Sequence, residues 1–146
     1  MILQLALAFI STFAFAVLFS APKSQYFLCG FCGAFTWGIY LASEHFENDP
    51  VLSALFATFF LTVLARFLSV KKKNPVTIYL ITGVFPLVPG AGIYYTSYYL
   101  IMNENRDSLL MGVSTLKTAG AIALGIILGF ALPFSLKRPH SKSKRK

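Results

Sequence analysis

Long apolar stretches alternate with short polar ones along the whole chain. Windows long enough to cross a bilayer fall at residues 2–20, 26–43, 51–70, 76–101 and 109–136. About 20 apolar helical residues match a hydrocarbon core of about 30 Å. The connectors SAPKSQ, SEHFENDP, KKKN and MNENRD are short and polar, and Pro22, Pro50 and Pro75 each precede a window. Proline suits the first turn of a helix, where its missing N–H would have no partner anyway. The pattern predicts an all-α polytopic membrane protein of about five transmembrane helices, the fourth of them broken. Residues 1–136 form one transmembrane domain and 137–146 a basic cytoplasmic tail. A transmembrane β-barrel would show short segments of alternating polarity instead.

The fourth window carries FPLVPGAGIYY at residues 85–95, with two prolines and two glycines in the middle of an otherwise apolar run. Proline removes a donor and clashes with the preceding turn, and glycine weakens a helix further. Hydrocarbon tolerates irregular backbone only where protein or a water-filled cavity shelters it. Counted from Val76, the break at Pro86–Gly92 lies about 15–24 Å along the span, near the bilayer midplane. A half-helix beginning there presents free N–H groups and a positive dipole end, which attract a carboxylate. Pro86, Pro89, Gly90, Gly92 and Ile93 are therefore candidate binding positions, the glycines because they let a ligand approach the backbone closely. A proline kink satisfied by neighbouring helices is the alternative.

Four further features bear on this site. Thr58, Thr62 and Arg66 recur every four residues and form one polar stripe on the third helix. Arg66 either clamps a carboxylate through its two-pronged guanidinium or snorkels to the interface. Lys117 lies about two turns into the fifth helix, where a lysine is a candidate for function unless its stem reaches the headgroups. Tyr94 and Tyr95 lie deeper than Tyr98 and Tyr99, and a buried phenol needs a hydrogen-bond partner, so they line a cavity or join an interfacial belt. Gly125 and Gly129, following Ala121 at four-residue spacing, form a GxxxG surface for close packing, which suggests an oligomer or a partner.

Composition agrees with membrane residence: 56% of residues are hydrophobic, 12% are charged and the mean hydropathy is +0.68. The formal net charge of +8 does not point to nucleic acid, because the basic residues flank spans rather than cover a folded surface. Lys23, Arg66, Lys71, Lys72, Lys73 and the tail fall on one side. Arg106 and all the acidic residues (Glu44, Glu47, Asp49, Glu104 and Asp107) fall on the other. The positive-inside rule then gives N-terminus out and C-terminus in. The first window lacks the basic start and small-residue site of a cleaved signal peptide.

No acidic residue lies within a predicted span, so this chain alone has no carboxylate relay for proton coupling. His45 and His140 stand in polar segments and form no metal cluster, and no nucleotide loop or nucleophile–base pair is present, so no cofactor, metal or enzymatic activity is expected. The CGFC at residues 29–32 lies in an apolar run and reads as packing residues rather than a redox pair.

Taken together, the end-of-helix Arg66, the basic loop, FPLVPGAGIYYTSYYLI and TLKTAGAIALG at 115–125 resemble the threonine/serine exporter family. The closer likeness is to the small subunit of its split, two-component form, equivalent to the C-terminal half of the fused exporters. The resemblance covers nearly the whole chain. It implies export of threonine and serine, or of dicarboxylates such as succinate, from the bacterial inner membrane together with a larger membrane partner. Pro86, Pro89 and Gly90 carry over as motif positions with the following Tyr94, and Arg66 as a matching basic position. Lys117 departs from the neutral polar residue expected there. Two alternatives remain: a scaffold subunit that never contacts substrate, and a homo-oligomeric channel packed through Gly125 and Gly129.

Overall fold

A computed structural model describes residues 2–133, with Glu47 described by its backbone alone. Residues 134–146, which include the predicted basic tail, lie outside the described residues. Every regular element among the described residues is helical: α1 (Ile2–Leu18), α2 (Tyr26–Glu47), α3 (Pro50–Lys72), α4 (Val76–Val84), α5 (Gly90–Ile101) and α6 (Asn105–Ala131). Single 3₁₀ turns at Lys23–Gln25 and Phe85–Leu87 lead into α2 and out of α4. Helices α2, α3 and α6 are each long and apolar enough to cross a membrane, and α4 with α5, taken together as one bent pair, is long and apolar enough as well. At 17 residues, α1 stands at the lower limit for crossing a bilayer.

The helix ends follow local chemistry. Asp49 caps α3 by accepting from the Val51 amide at 2.9 Å, with Pro50 as the first helical residue. Pro75 immediately precedes α4, while Pro22 introduces the 3₁₀ turn rather than an α-helix. α2 runs past the apolar window to Glu47 and stops where Asn48 turns left-handed at φ 51°, a conformation that asparagine tolerates. α6 ends at Ala131, short of the predicted 136. Leu132 is extended at ψ 130°, as a residue before proline must be.

α2 packs against α1, α3 and α4, and its Cys29 and Cys32 lie fully buried with Leu61, Ala65 and Tyr79 in the main core. The remaining helices form a second layer: α6 packs against α3, and α5 packs substantially against α6 alone. One device recurs at the close helix contacts. A threonine donates its hydroxyl to the carbonyl four residues back, which satisfies the polar group within its own helix, and the same side chain lies against a glycine on another helix. Thr12 meets Gly33 in this way, Thr58 and Thr62 meet Gly125 and Gly129, and Thr115 meets Gly92.

The Gly125–Gly129 surface is thus taken up within the chain. A Cβ on Gly125 would lie 2.5 Å from the Leu55 carbonyl oxygen, and one on Gly129 would lie 2.5 Å from Thr62 Cβ. This corrects the expectation that the glycine face serves an oligomer, because α3 already covers it. The stripe of Thr58 and Thr62 is the other half of the same seam, fully buried between the two helices.

Candidate functional site

The α4 half of the bent pair is fixed from several sides. Tyr79 is fully buried, and its hydroxyl donates to Gln25 Oε1 at 2.6 Å. A Cβ on Gly83 would press on Leu61 and Cys32, and Phe85 stacks on Phe15 with ring centroids 3.6 Å apart. The chain then leaves the helix through the 3₁₀ turn containing Pro86. Val88, forced out of the helical region by Pro89, has φ −58° and ψ 124°. The two half-helices meet at a bend of 49°. α5 begins at Gly90, within the break expected at Pro86–Gly92.

The first turn of α5 is open. The Gly90 amide donates to Val88 O at 2.7 Å and the Ile93 amide to Pro89 O at 3.1 Å. Among the described residues, the Ala91 and Gly92 amides have no acceptor. A Cβ on Gly90 would meet nothing within 4 Å, whereas one on Gly92 would collide with the Thr115 side chain. The two glycines therefore do different work: Gly92 admits α6, and Gly90 leaves the end of α5 uncovered. No residue of α5 is buried. Ile93 is 55% exposed and Tyr94 62% exposed. Tyr94 stacks on Tyr98 and Tyr95 on Tyr99, each pair with centroids 6.2 Å apart, and their hydroxyls have no hydrogen-bond partner among the described residues.

The two basic candidates lie apart from this end. Arg66 is drawn to α6, where Nη1 donates to the carbonyls of Gly129 (2.7 Å), Phe130 (3.2 Å) and Leu132 (2.9 Å), and its guanidinium carbon sits 5.7 Å from the Phe130 ring centroid. It satisfies carbonyls that a helix C-terminus leaves unpaired, at the negative end of the dipole. Lys117 lies on α6 two residues beyond Thr115, near the level of Gly90, and is exposed. Two residues turn a helix by about 200°, so Lys117 leaves α6 on the side away from α5.

Sequence reasoning missed Thr115 as the residue that seats α5 on α6, along with Thr96 and Ser108. Ser108 Oγ donates to Thr96 O at 2.9 Å. The quoted TLKT stretch contained Thr115, but its pairing with Gly92 needs the fold. A groove of about 530 Å³ between α5 and α6 is lined by Thr96, Leu100, Asn105, Ser108, Gly112 and Leu116. It does not touch residues 86–92, so the end of α5 is an open surface on this chain. No group of His, Cys, Asp and Glu among the described residues is arranged to hold a metal. The arrangement offers unpaired amides and a positive dipole end, a combination suited to an anion.

A family model described as "Threonine/Serine exporter, ThrE" matches residues 4–131, from the first turn of α1 to the end of α6. No curated protein and no solved structure matches the chain.

Proposed function

Because the chain belongs to the threonine/serine exporter family, we propose that it is one subunit of an exporter of threonine and serine, or of dicarboxylates, working with a larger membrane partner. The substrate carboxylate rests on the amides of Ala91 and Gly92, with Pro86 and Pro89 holding the two half-helices apart and Gly90 keeping the approach clear. Ile93 and Tyr94 border the same end. The observation that carries this is the uncovered first turn of α5, with unpaired amides and no side chain at Gly90. The partner reading draws support from the same place. An anion site open on this chain needs walls from elsewhere, and unpaired tyrosine hydroxyls at membrane depth need partners.

Arg66 and Lys117 act in this scheme at a distance. Arg66 fixes α6, and Lys117 adds positive potential on the far side of that helix. No carboxylate relay is assigned to this chain, so any proton coupling lies on the partner. Access alternates as one helical body rocks against another around the break.

Gly90→Leu tests the site directly. In cells that also express the larger subunit, it should reduce threonine or succinate export at least tenfold while the two chains still co-purify. Loss of co-purification would favour the scaffold reading instead. The chain sits in the inner membrane with its N-terminus out. A membrane-impermeant thiol reagent should therefore label a cysteine placed at Ser43 in intact cells and spare one placed at Lys142. Labelling at both positions would overturn the orientation.

A further inference from the structure

At the basic end of the bundle, α1 stops short of its neighbours. Ser20 closes the helix in a left-handed conformation at φ 53°, with the Ala21 amide donating to Ala16 O and the Ser20 amide to Val17 O. This is the hydrogen-bond pattern of a Schellman cap, with serine in place of the usual glycine. The turned chain leaves a groove of about 220 Å³ against the start of α4, lined by Phe19, Ser20, Ala21, Thr77, Ile78 and Ile81. It is smaller than the roughly 300 Å³ that a drug-sized ligand needs, and it offers few convergent polar groups. A free metabolite is a poor match, and an alkyl chain lying in it side-on is a good one.

Lysines flank both walls in the sequence. Lys23 follows the Ala21 wall by two residues, and exposed Lys72 and Lys73 precede Thr77 across the groove. Lys71 is occupied elsewhere, its ammonium 5.8 Å from the Phe67 ring centroid. All the chain's carboxylates stand at the opposite end of the bundle, on the α2–α3 and α5–α6 connections and the helix turns beside them. Nothing acidic therefore competes for the lysines here. We propose that this groove seats an acyl chain of an anionic phospholipid from the basic-side leaflet, its phosphate held by Lys23, Lys72 and Lys73. The proposal is independent of the exporter reading, since it uses neither the break nor α5.

The full-length chain, reconstituted in an equal mixture of dioleoyl phosphatidylglycerol and dioleoyl phosphatidylcholine and released for native mass spectrometry, should retain the anionic lipid preferentially. Lys23→Gln, Lys72→Gln and Lys73→Gln should each lower that preference by up to about fivefold, the contribution of one lysine near an anionic surface. Ile81→Trp, at a position that is already 47% exposed, should fill the groove and lower retention of both lipids. Equal retention of the two lipids by the unmodified chain would overturn the proposal. So would a preference unchanged in the triple lysine variant, or retention unchanged in Ile81→Trp.

Discussion

At the scale of single residues, the glycines divide by what a methyl group would meet. At Gly125 a Cβ would press against both the Thr58 side chain and the backbone of α3, and backbone cannot yield as a side chain does. Gly125→Ala should destabilise the protein by about 1–3 kcal/mol, the usual cost of overpacking. Gly92→Ala should weaken the α5–α6 contact less, because a threonine side chain is what must move. Gly90→Ala should leave stability within about 0.5 kcal/mol, as expected for a surface change away from any contact. Thermal unfolding in detergent ranks the three, and equal losses would refute the assignment of roles. From sequence, Gly125 reads as a packing glycine, but Gly90 and Gly92 look alike. Prolines flanking these two announce a break in the chain, but only the position of α6 separates a packing glycine from an open one.

At the scale of elements, part was legible because helix ends obey local rules. Pro50 marked the start of α3. The apolar windows put the ends of α2 and α6 at 43 and 136 and missed the local signals Asn48 and Pro133 that end them at Glu47 and Ala131; each effect acts within a few residues. The four-residue spacing of Thr58, Thr62 and Arg66 also showed that they share a face. Which helix covers that face was not legible, since periodicity fixes direction around one axis and says nothing of the neighbour. The face meets the glycines of α6, and Arg66 ends the seam by holding three α6 carbonyls. Arg66→Gln should therefore loosen the C-terminal end of α6. Amide exchange at residues 126–131 should rise several-fold while that of α2 stays unchanged. Export lost without any change in exchange would instead place Arg66 on the substrate pathway.

At the scale of the whole molecule, the chain has two parts of unequal burial. α1 to α4 enclose the core around Cys29, Cys32, Leu61 and Tyr79, while α5 buries no residue and leans on α6. The break joins them, with its α4 side anchored by Tyr79 and Phe85 and its α5 side presenting unpaired amides. Family membership accounts for transport, and the proposed site is the uncovered half-helix. The central claim is that the first turn of α5 holds a carboxylate. Gly90→Cys places a thiol there without a steric clash, and labelling by a small anionic thiol reagent can be timed in membranes that also contain the proposed larger partner. Threonine should slow that labelling, and threoninol, which replaces the carboxylate with an alcohol, should not. Equal protection by both compounds, or protection by neither, would contradict the account.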